Sequence, residues 1–139
     1  MKRNHLFIIV FVLSALVGCQ PSKKEVTGES EADKKIIDIV RKSDAMGEGV
    51  NWETFIAHAA GLKGKIDWRY FRGEEKQHVV ELKMLHYDDK TAAVDTLRMQ
   101  WQVNPETGFN KLSYFAINSV AQPKMLGMMK LELWVALNR

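Results

Sequence analysis

Leu97-Arg98-Met99-Gln100-Trp101-Gln102-Val103 alternates without a break, with Leu97, Met99, Trp101 and Val103 on one side and Arg98, Gln100 and Gln102 on the other. Successive side chains of a strand point to opposite faces, so this run reads as a strand with one dry side and one wet side. A sheet covered on a single face is the antiparallel kind, because parallel strands are buried on both. The rest of the chain must therefore supply further strands and one layer of cover.

The neighbouring segments fit that frame. Upstream, His78 to Tyr87 alternates again, with Val80, Leu82 and Met84 inward and Glu81 and Lys83 outward. Before it, Ile66, Trp68 and Tyr70 alternate with Asp67, Arg69 and Phe71, and turns fall at Gly73-Glu74-Glu75 and Asp88-Asp89-Lys90-Thr91. Downstream, Asn104-Pro105-Glu106-Thr107-Gly108 is composed of turn residues, and Phe109 to Val120 returns as a fourth strand. Its period is poorer, with Leu112 and Tyr114 on one side and Phe115 and Ile117 on the other.

The cover comes from helices. Ser30 and Asp33 have capping-box spacing ahead of Ile36, Ile37, Ile39 and Val40, which predicts a helix to about Ser43. Asp44 to Val50, with Gly47 and Gly49, reads as a loop. Asn51 can cap a second helix in which Trp52, Phe55, Ile56 and Ala59 form one stripe, ended by Gly61 with Leu62 folding back in a Schellman-type contact. Pro123 breaks the sheet, and Lys124 to Asn138 reads as a closing helix, apolar nearly all round. The expected fold is α+β, with two N-terminal helices and a C-terminal helix packed on a four-stranded antiparallel sheet. It occupies residues 31–139 as one domain.

Outside the domain lies a different kind of sequence. Met1 to His5 is a short basic head, and Leu6 to Val17 is apolar except for Ser14, the pattern of a secretory leader. As a helix those twelve residues reach about 18 Å, against a hydrocarbon core of about 30 Å. A permanent transmembrane span is therefore the weaker reading. Residues 19–30 are polar, with Val26 the one aliphatic after Cys19, and read as a tether whose typical span is about 18 Å.

Composition narrows the chemistry. Without residues 1–18 the chain keeps 121 of its 139 residues, and its net charge falls from +3 to +1 because Lys2 and Arg3 leave with no acid. A nearly neutral domain offers no basic stripe for nucleic acid. The chain has one cysteine, Cys19, so no disulfide can form within it.

Each residue that could carry chemistry also has a plainer role open to it. His58, His78 and His86 lack the spacing and the cysteine partners of a zinc site, so no metal or other cofactor is expected. Asp88 and Asp89 sit in a turn, where adjacent acids are solvated rather than shifted in pKa. No nucleophile elbow, phosphate loop or Ser/His/Asp order is present, and no catalytic residue is assigned. Trp52, Trp68 and Trp101 occupy core-facing positions. Met125, Met128, Met129 and Trp134 of the closing helix form the candidate partner surface, with core filling as the alternative.

Two resemblances add to this. Leu16-Val17-Gly18-Cys19 resembles the bacterial lipobox, which implies cleavage between Gly18 and Cys19 and lipidation of the Cys19 sulfur. Gln20 in place of Asp implies the outer membrane, facing the periplasm. Trp52-Glu53-Thr54-Phe55-Ile56, Ala59-Ala60-Gly61 and Trp68-Arg69-Tyr70-Phe71 resemble the small outer-membrane lipoproteins of the SmpA/OmlA type, which assist assembly of outer-membrane proteins. The expected role is thus a membrane-anchored, non-enzymatic binding module with an envelope protein partner. A lipid- or peptidoglycan-binding carrier and an inhibitor of a wall hydrolase are the alternatives.

Overall fold

The structure, a computed structural model, describes residues 30–47 and 49–138. The leader, Gly18, Cys19 and the tether up to residue 29 lie outside the described residues.

Helix α1 spans Glu31–Arg41 and begins with the expected capping box, in which the Asp33 amide donates to Ser30 Oγ at 3.1 Å and the Ser30 amide to Asp33 Oδ2 at 3.0 Å. These bonds satisfy backbone donors that the first turn would otherwise leave open. The following loop is held by Asp44, whose carboxylate accepts from the amides of Met46, Gly47 and Gly49. Helix α2, Trp52–Ala60, is capped by the Asn51 side chain and ends at Gly61, whose φ of 68° suits glycine. Leu62 does not fold back as expected; its side chain is fully exposed, and Gly61, with φ 68° and ψ −173°, lies outside the αL well that a Schellman turn uses.

Strands β1 (Lys65–Arg72), β2 (His78–Tyr87), β3 (Val94–Val103), β4 (Asn110–Ile117) and β5 (Val120–Ala121) form one antiparallel sheet in sequence order, and α3 (Lys124–Leu137) closes the chain. The sheet has five strands where the sequence predicts four. Asn118 and Ser119 have φ of 51° and 65°, the conformation of a two-residue hairpin turn, so the chain reverses inside what reads as one strand. Asn118 fixes that turn. Its amide donates to the Thr96 carbonyl at 2.8 Å, and its Oδ1 accepts from the Thr96 amide at 2.8 Å.

The poor period of the fourth strand has a local cause. The β3–β4 register shifts between Gln100 and Trp101, so that Gln100 faces Tyr114 while Trp101 faces Leu112 and Ser113 is the extra residue. Leu112, Phe115 and Ile117 thereby share the inner face, and Tyr114 goes outward.

All three helices lie on one side of the sheet. The core between them holds Val40, Ile56, Val80, Leu82, Met84, Leu97, Met99, Trp101, Phe115 and Leu131, each under 2 % or about 2 % exposed. Trp52, Trp68 and Trp101 meet there, with ring centroids 5.1 Å apart for Trp52–Trp101 and 5.7 Å for Trp68–Trp101. Aromatic contacts of this kind add about 0.5–1.5 kcal/mol each beyond area burial.

Candidate functional site

Helix α3 contains no β-branched residue before Val135, so most of its sequence favours helix, and Pro123 ahead of it supplies a fixed entry. Its inner face is Gly127, Leu131, Trp134 and Val135. Gly127 lets the helix sit directly on β4, because a Cβ there would lie 2.5 Å from Phe115 Cδ1. Trp134 is 4 % exposed and stacks on His86 at 4.5 Å with an interplanar angle of 13°. His86 Nδ1 donates to the Ala59 carbonyl at 2.9 Å, and Asn138 Nδ2 donates to the same oxygen at 3.1 Å. The end of α2, strand β2 and α3 are joined at that carbonyl.

The opposite side of α3 is unlike any other helix surface among the described residues. Met125, Leu126, Met129, Leu133 and Leu137 are each more than half exposed. At 100° per residue they occupy one continuous arc, with Lys130 and Glu132 at its two margins. Of the residues expected to form a partner surface, Met125 and Met129 lie in this row. Met128 is partly buried against the core, and Trp134 belongs to the inner face, which corrects its assignment to a partner surface. Leu126, Leu133 and Leu137 complete the row and were missed. The signal for them was available in Gly127, since a glycine amid large side chains marks the point of close approach and so orients the helix.

The open face of the sheet holds the second candidate. Glu81 points away from the helices, yet is 4 % exposed, because neighbouring strands fold their side chains over it. Arg98 Nε and Gln100 Nε2 both donate to Glu81 Oε2 at 2.6 Å, and Lys83 Nζ lies 3.4 Å from Oε1. Desolvation pushes the Glu81 pKa up, but the bonds from Gln100 and Arg98 and the charges of Arg98 and Lys83 outweigh it and leave it below the usual value. Arg98 also lies over the Tyr114 ring, 5.7 Å from its centroid. Beside this cluster is a shallow depression of about 290 Å³ lined by Lys83, Thr96, Arg98, Tyr114 and Ser119 among others. A carboxylate held ionised by two cations is a poor proton donor, so the arrangement suits cross-strand stapling rather than acid catalysis.

The three histidines among the described residues are in separate settings. His58 is exposed on α2, His86 is buried as described, and His78 Nδ1 lies 2.9 Å from the Tyr70 hydroxyl. Desolvation, then the charge of Arg72, lowers the His78 pKa and keeps the ring neutral. Among the described residues no three or more His, Cys, Asp or Glu side chains converge as a metal site, and no helix is long and apolar enough to cross a membrane. Asp88 accepts from the Lys90 amide at 2.8 Å, which lowers its pKa, and Asp89 pairs with Lys63. Asp88 is thus bound into the turn, whereas Asp89 reaches across to the segment between α2 and β1. A groove of about 600 Å³ between α1 and β1 is lined by charges of both signs around Ile66 and Trp68.

No family model matches this sequence, no curated protein matches it, and no solved structure matches its fold.

Proposed function

We propose that this chain is a bacterial envelope lipoprotein, anchored through acylated Cys19 in the outer membrane and acting from the periplasmic side as a non-enzymatic binding or assembly module. The observation that carries the binding role is the outward row of α3, because five large apolar side chains more than half exposed on one helix exceed the scattered apolar residues of an ordinary surface. The anchoring rests on Leu16-Val17-Gly18-Cys19 at the end of an apolar run of leader length. Two acyl chains hold a protein at a bilayer where one does not, since each buried CH₂ contributes about 0.8 kcal/mol. The resemblance to SmpA/OmlA-type lipoproteins supports the same class of role by analogy of fold layout.

Intact-mass measurement of the protein from native membranes tests the anchor, and crosslinking from the α3 row tests the contact. The expected mass is that of a chain starting at an acylated Cys19, with crosslinks at Met125 and Met129. A chain that starts elsewhere or carries a bare thiol overturns the reading.

A further inference from the structure

We propose that the outward row of α3 rests in the headgroup layer of the same bilayer that holds Cys19, so that the domain lies on its own membrane with the open sheet face turned away. This rests on the anchored reading and names the occupant of its contact surface.

Reach is the first argument. Eleven residue steps separate Cys19 from Ser30, which span at most about 36 Å in any conformation. A domain of 109 residues has a radius of gyration of about 13 Å, hence a diameter of about 35 Å. The leash is no longer than the body it holds, so the domain can lay a face on the lipid and cannot travel further from it than about its own diameter. Among the described residues, the helix face with the most to gain there is that of α3. Its row runs from Met125 to Leu137, about 18 Å of helix, long enough to lie flat at the interface without entering the bilayer core.

The chemistry of the row points the same way. Met and Leu side chains on a convex helix conform to a fluid surface, and the margins carry both Lys130 and Glu132, so attraction does not depend on anionic lipid. The contact need not be strong. A short leash presents the row to the membrane at an effective concentration in the millimolar range, so a weak contact is held closed. Because α3 packs on the helix side of the sheet, its outer row faces away from Glu81, Arg98 and Tyr114. Seating the row on lipid therefore leaves that polar face toward the periplasm.

The test uses the acylated chain with a single added thiol, since Cys19 is consumed by lipid. Leu133→Cys and, as control on the open face, Gln102→Cys are labelled with bimane and reconstituted in phosphatidylcholine vesicles containing lipid brominated on its acyl chains. Fluorescence at position 133 should be quenched and that at 102 should not. Adding Leu126→Glu and Leu137→Glu should restore the emission at 133 while the protein stays bound through Cys19, because each lost apolar contact weakens the seating by about tenfold. Met129→Cys replaces the first probe if Leu133→Cys alters the near-ultraviolet circular dichroism. Equal emission at 133 and 102 in a vesicle-bound protein overturns the membrane seating and leaves the anchor standing. Shielding of position 133 from aqueous iodide without quenching by the brominated lipid assigns the row to a protein or to a second copy, and overturns it as well. An unacylated Cys19 by intact mass overturns both proposals.

Discussion

Helices α1 and α3 lie on the same side of one sheet, and both bury an inner face, but their outer faces have opposite chemistry. The outer face of α1 carries Lys34, Lys35, Asp38 and Lys42, with ion pairs Lys34–Glu31 at 2.9 Å and Lys42–Asp38 at 2.7 Å along its own surface. The outer face of α3 carries Met125, Leu126, Met129, Leu133 and Leu137. Packing on the sheet explains the inner faces of both and the outer face of neither. For α1 the outside is what water requires. For α3 it is not, and that difference marks α3 as the helix with a surface left to cover.

The contrast is sharpest between the two faces of α3 itself. Trp134→Ala should lower stability by about 3–5 kcal/mol, read as a shift in the urea midpoint, because it empties a site closed over His86 and the core. If Trp134→Ala is silent in unfolding, the inner and outer faces have been exchanged. Gly127→Ala should also destabilise, by about 1–3 kcal/mol, since its new methyl meets the Phe115 ring.

The open face of the sheet offers the next test. Glu81→Ala should cost about 1–3 kcal/mol by leaving Arg98 and Gln100 without their shared acceptor. The same carboxylate sets a pH dependence. Its folded pKa lies below the ordinary 4.5, so its stabilisation is fully present above that value and is lost as pH falls through the lower folded one. Asp38, lowered from 3.8 chiefly by its bond to Lys42, acts in the same direction. His78, lowered from 6.5, also favours folding above its ordinary value and loses that contribution as pH falls. Urea midpoints between pH 7 and pH 3 should decline, and Glu81→Gln should flatten the part below pH 4.5; an unchanged slope would mean the cluster is not ionised as described.

The smallest effects belong to the outer faces. Lys35→Ala on α1 and Leu133→Ser on α3 should each change stability by no more than about 0.5 kcal/mol, because both side chains are exposed and neither belongs to the core. Only the second should alter vesicle contact. Equal behaviour of the two in both assays would erase the distinction between the helices.

Much of this layout was legible in the residues, and the places where it was not share a cause. The strand at Leu97–Val103 and the cap at Ser30 are local patterns, fixed by side-chain period and by one hydrogen-bonding group at the right spacing. The hairpin at Asn118-Ser119 depends on two non-glycine residues taking positive φ, which Asn tolerates but which Ser rarely announces. The bulge at Ser113 inverts the phase of β4 midway, so a single period cannot describe it. Trp134 was misplaced because a helix apolar on every side has no amphipathic direction to read. Burial of Glu81 is made by the long arms of Arg98 and Gln100 from the adjacent strand, and alternation along β2 alone gives no sign of it.

The sheet order has a kinetic consequence. Every strand pairs only with its neighbours along the chain, so assembly proceeds through a series of short loop closures, each with a small entropic penalty. The exception is α3. Leu131 and Trp134 roof a hollow over Phe115 and His86, and they leave any biosynthetic or export machinery after everything beneath them. Until α3 has emerged, the nascent domain presents an unroofed apolar floor, and its completion is timed by release of that helix.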